Sequence, residues 1–263
     1  MAEPLAEFLD VARQAARAGG RELMSWRGRF AVREKGPADL VTEADLAAQT
    51  AIREVLISAY PEHGFLGEEE GASTVGRDGY RWIVDPLDGT TNYVHGLAQF
   101  AVSIGLERSG KLLAGVVYDP SSDECFAAAL GLGADVNGRP LRVSAVCELS
   151  QAMIAASFPP KVMRDSVVVA EFLTVMEQAQ AVRRMGSSAL NLSYVAAGRL
   201  DAYWAKDTKT WDVAAGWLLV TEAGGVLTGF DGGEPDLGRP RFVASATPSL
   251  HKELQAALRG AGK

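Results

Sequence analysis

The sequence predicts a mixed α+β / α/β fold in which two sheet lobes pack into one compact body. Apolar residues recur at helical spacing over the first 60 residues, and short strand patterns follow from about residue 80 to residue 143. After about residue 150 strand and helix patterns alternate. Antiparallel-type strands followed by alternating units favour two sheets with helices layered around them. With 263 residues the chain is long enough to bury a substantial core.

The first third of the chain predicts two helices. Residues 4–26 place their apolar side chains at helical spacing, and Lys35-Gly36-Pro37 then predicts a loop. A second helix is predicted to begin near Thr42 and to stop before Pro61.

The next part of the chain predicts a run of strands. The predicted strands are residues 82–84, 101–106, 112–118, 124–129 and 141–143. Ser109-Gly110 and Asn137-Gly138 are turn signals between them.

The last part predicts alternating strands and helices. The predicted strands are residues 153–157, 182–185, 200–203, 226–227 and 242–245. The predicted helices are near 165–179, 188–197, 211–223 and 248–258. Neither a repeat nor a linker interrupts the sequence, so we expect a seam inside one body, with an N-terminal α+β lobe at 1–147 and a C-terminal α/β lobe at 148–263.

Charge and hydropathy narrow the class of function. A net charge of −7 argues against nucleic acid as a partner, because a nucleic-acid binder normally shows a basic face. No run of about 18 apolar residues exists, so we expect no membrane partner. The start resembles no secretion signal, and two distant cysteines fit a reducing compartment, so we expect a cytoplasmic protein.

The most informative segment is Trp-Ile-Val-Asp-Pro-Leu-Asp-Gly-Thr-Thr-Asn at residues 82–92. A buried strand ends at Asp85, and Pro86 turns the chain so that Asp85 and Asp88 can face one point. Two carboxylates repel each other unless a cation lies between them, and all-oxygen ligands favour Mg²⁺ or Mn²⁺. The carbonyl of Leu87 is a further candidate ligand. An Asx-rich turn is the alternative interpretation, but such a turn does not require the second aspartate, the paired threonines and the asparagine.

The residues that follow suit an anion. Gly89 lets backbone N–H groups approach an anion closely, and a helical turn that starts here would point its free N–H groups at a phosphate. The hydroxyl of Thr90 can orient a water molecule. An acidic protein that binds phosphate needs local positive potential, which divalent cations and oriented N–H groups supply.

Three other acidic segments can complete such a site. Residues 67–70 place glutamates after a short apolar stretch, where a solvated acidic turn is the alternative. Thr42 and Asp45 have the spacing of a capping box, and Asp212 stands at the start of a small-residue helix, where an N-cap is the alternative.

Together these motifs resemble the inositol monophosphatase family of lithium-sensitive, magnesium-dependent phosphatases. The resemblance spans roughly residues 5–258, and the Asp-Pro-Leu-Asp-Gly-Thr-Thr-Asn and Trp-Asp-x-Ala-Ala-Gly motifs are its specific part. It implies a layered α-β-α-β-α sandwich and a phosphomonoesterase for a small polyol or sugar phosphate such as inositol 1-phosphate. It also implies two or three Mg²⁺ ions per site, with Mn²⁺ as a substitute, and a homodimer.

The resemblance also implies a set of metal ligands. Glu68, Asp85 and the Leu87 carbonyl would hold a first cation, and Asp85, Asp88 and Asp212 a second. Glu68 with water molecules would hold a weaker third cation.

The same resemblance implies catalytic and substrate-binding residues. Asp45, paired with Thr90, would position a metal-activated water for direct attack on the phosphorus, so no covalent phosphoenzyme is expected. The residues implied to meet the phosphate or the substrate's hydroxyls are Gly89, Thr90, Thr91, Gly186, Ser187 and Ser188.

One position departs from the inositol-preferring pattern. Those members carry a substrate-binding glutamate six residues before the Trp-Asp pair, and Ala205 stands here. Lys206 and Lys209 come close after it, and we expect them to bring positive charge near the mouth of the pocket. We therefore expect shifted or broader specificity, with histidinol phosphate, fructose 1,6-bisphosphate and 3′-phosphoadenosine compounds as alternatives. An inactive relative that binds a metal or a partner is the remaining hypothesis.

Overall fold

The computed structural model describes residues 4–36, 39–69, 75–159 and 162–261, with the backbone alone for residues 34–36 and 39–40. The α-helices are α1 Leu5–Trp26, α2 Glu43–Ala59, α3 Thr90–Val94, α4 Val167–Gln178, α5 Ser188–Ala196, α6 Thr210–Glu222 and α7 Pro248–Gly260. The strands are β1 Val32–Gly36, β2 Asp39–Thr42, β3 Gly64–Gly67, β4 Tyr80–Asp88, β5 Ala101–Arg108, β6 Lys111–Asp119, β7 Glu124–Ala129, β8 Gly133–Val136, β9 Arg139–Pro140, β10 Met153–Ser157, β11 Ala181–Arg183, β12 Ala202–Ala205, β13 Val226–Gly229 and β14 Phe242–Ser245.

The first large sheet has seven strands in the order β3-β4-β5-β6-β7-β8-β9. β3 and β4 are parallel, and every other neighbouring pair is antiparallel. The predicted turns are confirmed, because Ser109-Gly110 joins β5 to β6 and Asn137-Gly138 joins β8 to β9. All four turn residues have positive φ, which matches the right-handed twist of the flanking strands.

The second sheet has five strands in the order β11-β10-β12-β14-β13. β10 runs parallel to β11 and β12, whereas β14 is antiparallel to β12 and β13. The two sheets therefore differ in pattern, as the two halves of the sequence do.

Helices form three layers around and between the sheets. α1 and α2 pack on one face of the seven-stranded sheet, α5 and α6 lie between the two sheets, and α4 and α7 cover the outer face of the five-stranded sheet. The predicted α-β-α-β-α sandwich is confirmed. Within the described part of the chain, no helix combines the length and the apolar character needed to cross a bilayer.

Two local predictions are wrong. Residues 141–143 form no strand, because the β8–β9 hairpin ends at Pro140, which has no N–H to donate to a ladder. Lys35 and Gly36 lie in β1, which pairs with β2, and not in a loop; Pro37 lies outside the described residues.

Candidate metal centre

Asp85 and Asp88 lie at the end of β4, an interior strand of the seven-stranded sheet. Between them β4 has one residue more than β5, since Asp85 pairs with Ser103 and Asp88 pairs with Ala101. Such a bulge bends a strand and re-aims its side chains. Pro86 lies in the bulge, and the N–H of Leu87 donates to Asp85 Oδ1 at 2.9 Å. The bulge explains how two buried carboxylates three residues apart come together.

Asp212 reaches the same point from α6. One carboxylate oxygen from each of Asp85, Asp88 and Asp212 lies within 4.8 Å of the other two, and the group can hold a metal ion. The N-cap alternative for Asp212 is wrong, because α6 begins at Thr210 and Asp212 is its third residue. Its Oδ2 accepts the backbone N–H of Lys209 at 2.9 Å.

Small residues bring α6 close to the sheet. A Cβ on Gly105 would lie 2.9 Å from the Cβ of Ala214, and a Cβ on Gly115 would lie 2.9 Å from the Cα of Ala215. Both distances are shorter than a van der Waals contact, so each glycine is needed for this approach. Ser103 also donates to the Trp211 carbonyl at 3.1 Å, which fixes the first turn of α6 beside β5.

The electrostatics of this cluster favour a cation. Burial, and then the charge of Glu68, raises the pKa of Asp85 well above its ordinary range. Burial, and then the charge of Asp88, does the same for Asp212. Without a cation, the buried Asp85 and the half-buried Asp212 therefore resist ionisation. An all-oxygen donor set of this charge fits a hard divalent cation.

Glu68 lies beside this cluster. It follows the last residue of β3, and its N–H donates to the Val84 carbonyl at 3.1 Å. Since β3 is parallel to β4, with Gly67 opposite Val84, Glu68 emerges from the carboxyl end of β3 beside Asp85. Glu70, the last glutamate of that acidic run, lies outside the described residues.

Asp88 is held by the start of α5. Its carboxylate accepts the Ser187 hydroxyl, the Ala189 N–H at 2.7 Å and the Ser188 N–H at 3.2 Å. Burial raises the pKa of Asp88 to about 6, and these donors act in the opposite direction. The sequence placed Ser187 and Ser188 next to a substrate, whereas in the structure the Ser187 hydroxyl faces Asp88.

Ser188 has a further bond that the sequence did not indicate. Its hydroxyl forms a hydrogen bond with the hydroxyl of Tyr203 at 2.9 Å. The Tyr203 hydroxyl also forms a hydrogen bond with the hydroxyl of Ser157 at 2.7 Å. Tyr203 lies in β12, so these bonds join α5 to the five-stranded sheet. No pattern in the sequence points to this contact, because its partners are distant along the chain.

Asp45 both caps α2 and faces the Asp-Gly-Thr segment. Its Oδ2 accepts the Thr42 N–H at 2.8 Å and the Thr42 hydroxyl at 2.6 Å, so the capping box is present. Its Oδ1 lies 3.4 Å from the Thr90 hydroxyl, which is also 3.1 Å from the Leu87 carbonyl. Burial raises the pKa of Asp45 to about 6, and the charges of Glu69 and Glu68 add to the shift.

Gly89 begins a short helix next to these carboxylates. Its φ of 96° is left-handed, and a Cβ there would lie 2.8 Å from the Gln99 carbonyl and 3.3 Å from the Gly186 carbonyl. Thr91 is exposed, and Gly89 and Thr90 are half-buried. The first bond of α3 runs from the Tyr93 N–H to the Gly89 carbonyl, so the preceding N–H groups are not used within the helix.

The asparagine of the motif connects this turn to the second half of the chain. The Asn92 amide donates to the Gln99 carbonyl at 2.7 Å and to the Met185 carbonyl at 2.8 Å. A Cβ on Gly186 would lie 2.8 Å from that amide nitrogen. Gly186 is therefore held beside Gly89.

Ala205 and Lys206, which the sequence analysis linked to substrate specificity, are both buried. Ala205 is fully buried in β12, where it pairs with Ser157 and Phe242. Lys206 is also buried: its ammonium group pairs with Glu171 and lies 4.5 Å from the centre of the Phe230 ring. The expectation that Lys206 brings charge to a pocket mouth is wrong.

Comparisons with known proteins were made on the whole chain. The model of the inositol monophosphatase family matches residues 4–263. A protein named inositol-1-monophosphatase from Rhizobium meliloti is 48% identical over 213 residues, which cover 80% of this chain and 78% of that protein. A protein named Nus factor SuhB from Pseudomonas aeruginosa is 42% identical over 252 residues, which cover 91% of this chain and 92% of that protein.

The fold also matches solved structures. The extragenic suppressor protein suhB from Bartonella henselae superposes with a TM-score of 0.91 at 42% identity, covering 96% of this chain and 98% of that one.

Proposed function

The chain belongs to the inositol monophosphatase family, and from this membership we propose that it hydrolyses a small polyol or sugar phosphate with Mg²⁺. That it is a metal-dependent phosphatase of phosphomonoesters follows from the family and its relatives. The observation that most supports the site is the meeting of the Asp85, Asp88 and Asp212 carboxylates within 4.8 Å.

The proposed ligands divide between two cation positions. Glu68, Asp85 and the Leu87 carbonyl would hold the first, and Asp85, Asp88 and Asp212 the second, with Glu68 and water for a weaker third. The all-oxygen donor set supports Mg²⁺, with Mn²⁺ as a substitute. When bound, such cations offset the charge of the phosphoryl group and make water more acidic.

Asp45 and Thr90 would orient the attacking water and take its proton. The 3.4 Å separation of Asp45 Oδ1 and the Thr90 hydroxyl suits one shared water neighbour. Burial raises the pKa of Asp45 to about 6, so this carboxylate is a stronger base than an ordinary one and is still largely ionised at neutral pH.

The phosphate would lie against the backbone N–H groups that follow Gly89. Thr90 and Thr91 belong to this turn, and the left-handed Gly89 allows the close approach. Gly186 would face the leaving alcohol, whereas Ser187 and Ser188 would act on it through Asp88, which accepts the Ser187 hydroxyl and the Ser188 N–H.

The identity of the substrate depends on a position without a polar side chain. Ala205 cannot accept hydrogen bonds from ring hydroxyls through its side chain, which supports shifted or broader specificity. Inositol 1-phosphate is therefore only the reference substrate. Histidinol phosphate, fructose 1,6-bisphosphate and 3′-phosphoadenosine compounds are the alternatives. An inactive relative is disfavoured, because all the proposed ligand and catalytic residues are present.

A homodimer in the cytoplasm remains part of the proposal. Size-exclusion chromatography with light scattering measures the molar mass in solution. A mass near 27.9 kDa, that of one chain, would contradict the dimer.

The test of the proposed function is phosphate release in the presence and absence of Mg²⁺. Asp85→Asn and Asp212→Asn each remove one ionised ligand, and we expect a loss of activity of at least about 1,000-fold because a buried charge at the cation is lost. The substrates are inositol 1-phosphate and the three alternatives, each with and without lithium.

Asp10→Asn is the matched control, since Asp10 is an exposed aspartate of α1. It should keep wild-type turnover. Mg²⁺-dependent turnover retained in Asp85→Asn or Asp212→Asn would exclude the proposed ligand set, and a wild-type chain without activity on any of the phosphates would favour the inactive relative.

A further inference from the structure

A cavity of about 550 Å³ lies at the start of α6, lined by residues 207–211 and 238–241. One wall is the turn between β12 and α6, and the other is the segment that leads into β14. The proposed function assigns no role to this cavity.

The two walls are bonded to each other. The Thr208 hydroxyl donates to the Pro240 carbonyl at 3.2 Å, and the Thr210 hydroxyl donates to the Leu237 carbonyl at 3.0 Å. The buried pair between Lys206 and Glu171 anchors the chain just before the first wall. These contacts fix the two walls relative to each other.

The charges that line the cavity are mostly positive. Lys209, Arg239 and Arg241 contribute three exposed cations, and Asp207 is the one carboxylate of the lining. Among the described residues none of these three cations belongs to an ion pair. In a chain with a net charge of −7 this is a local excess of positive charge. Arginine in particular binds phosphate and carboxylate through two parallel hydrogen bonds.

The cavity adjoins the proposed metal centre. Trp211, which lines it, directly precedes Asp212 in the first turn of α6. The backbone N–H of Lys209, another lining residue, donates to Asp212. The cavity and the proposed metal centre therefore meet at the first turn of α6.

We propose that this cavity is a second anion subsite, which binds a further phosphate or carboxylate group of the substrate through Arg239, Arg241 and Lys209. The substrate class is then a polyol or sugar that carries a second anionic group away from the phosphate that is hydrolysed. Trp211 and Pro240 supply the apolar part of the wall. The position of the hydrolysed phosphate rests on the proposed function, whereas anion binding in the cavity does not.

The first experiment measures anion binding without the metal centre. The chain is stripped of metal with EDTA and dialysed, and inorganic phosphate is titrated by ³¹P NMR. Without a cation the carboxylate cluster repels phosphate, so the cavity is the expected site. Arg239→Ala/Arg241→Ala should weaken binding at least about tenfold, because two charged donors are lost. Arg139→Ala, which removes an exposed arginine from β9 outside the lining, should bind as the wild type does.

Equal affinity in the double variant and the wild type, or no saturable binding by the wild type, would overturn the subsite. This result does not depend on whether the chain is a phosphatase.

The second experiment decides between a substrate group and a free anion. With Mg²⁺, kcat/KM is measured for inositol 1-phosphate and inositol 1,4-bisphosphate, and for fructose 1-phosphate and fructose 1,6-bisphosphate. In the double variant we expect a loss of at least about tenfold for a bisphosphate and less than about twofold for its monophosphate. The change should lie mostly in KM, since the residues contact no reacting atom.

If kcat/KM falls equally for the bisphosphate and the monophosphate of each pair, or for neither, the cavity binds no second group of the substrate. It would then bind free phosphate at most. If the wild type hydrolyses none of the four compounds, the proposed function fails, and the NMR titration alone decides the anion subsite.

Discussion

At the scale of single residues, Asp45 has one role in the fold and a second role in the proposed chemistry. Asp45 closes the capping box with Thr42 through one oxygen and faces Thr90 through the other. Because the cap fixes the carboxylate, its free oxygen points in one direction before a substrate arrives. Such fixed orientation lowers the entropy lost in reaching the transition state.

The role of Thr90 is testable with a side chain of the same shape. Thr90→Val removes the hydroxyl that faces Asp45 and the Leu87 carbonyl, so the attacking water loses one of its two orienting groups. We expect kcat for phosphate release to fall about 100-fold while KM changes little. The melting temperature should fall by only a few degrees, since about 1 kcal/mol of hydrogen bonding is lost.

Thr50→Val is the matched control for Thr90→Val. Its hydroxyl donates to the Leu46 carbonyl on the surface of α2, away from any proposed ligand. A kcat of Thr90→Val within about threefold of the wild type would remove Thr90 from the proposed mechanism.

Part of the site at this scale was readable from sequence and part was not. The proposed ligands Asp85 and Asp88 stand in a local string whose turn chemistry is explicit, and Thr42-x-x-Asp45 is a local signature as well. The bond from Ser187 to Asp88 joins residues 99 positions apart, and no local pattern encodes such a contact. For this reason Ser187 was assigned to the substrate, while the structure shows its hydroxyl on a carboxylate.

At the scale of secondary-structure elements, close packing of α6 places the third carboxylate of the cluster. The small residues of the Trp-Asp-x-Ala-Ala-Gly motif meet Gly105 and Gly115 of the sheet on one side. On the other side, a Cβ on Gly216 would lie 2.5 Å from a Leu192 side-chain atom of α5. The motif therefore encodes a distance between layers as well as a carboxylate.

Gly115 tests this placement at a distance from the chemistry. In Gly115→Ala the new methyl group would lie 2.8 Å from the Ala215 carbonyl oxygen, so α6 has to move away from the sheet. We expect the free energy of unfolding to fall by about 1–3 kcal/mol. We also expect the apparent Mg²⁺ affinity to weaken, because Asp212 moves with the helix. Urea unfolding and Mg²⁺ titration of the activity measure the two effects.

Gly260→Ala is the control for Gly115→Ala, since a Cβ on Gly260 meets no atom within 4 Å. It should leave stability and Mg²⁺ dependence unchanged. A Gly115→Ala variant that unfolds and responds to Mg²⁺ like the wild type would show that α6 is not held by this contact.

Elements with a strong periodic pattern were predicted well, and irregular ones were not. The predicted strands at 124–129, 153–157 and 242–245 coincide with β7, β10 and β14. The β1–β2 hairpin was missed because Gly36 and Pro37 signal a break, which hides a pairing that only the folded chain shows. Residues 141–143 were predicted as a strand from their apolar character, although Leu141 and Val143 pack against the layer of α5 and α6 instead.

At the scale of the whole molecule, the fold brings several carboxylates into one region where burial disfavours their ionised form. β4, α2 and α6 each deliver at least one aspartate to the same interior region, and burial raises the pKa of each. Metal-free folding of this protein is therefore opposed by its own carboxylate cluster, and a cation bound there would remove that opposition.

This opposition predicts a dependence of stability on pH that one substitution removes. The pKa of Asp85 is higher in the folded chain than in the unfolded chain, so the folded state binds more protons and loses stability as pH rises through the raised pKa. In metal-free protein, Asp85→Asn should therefore raise the melting temperature at pH 8 and have little effect at pH 4, close to the unfolded pKa of about 3.9. We expect a gain of several degrees, since each kcal/mol corresponds to about 2–4 °C in a chain of this size.

The comparison between variant and wild type is needed because other buried groups titrate in the opposite direction. Burial lowers the pKa of His63 and His251, so the stability linked to these side chains falls as pH decreases. Both histidines are present in the wild type and in Asp85→Asn, and their contribution cancels in the difference. Added Mg²⁺ should reverse the order at pH 8, because only the wild type keeps the ionised ligand. A metal-free Asp85→Asn that melts below the wild type at pH 8 would show that the buried cluster stabilises the fold without a cation.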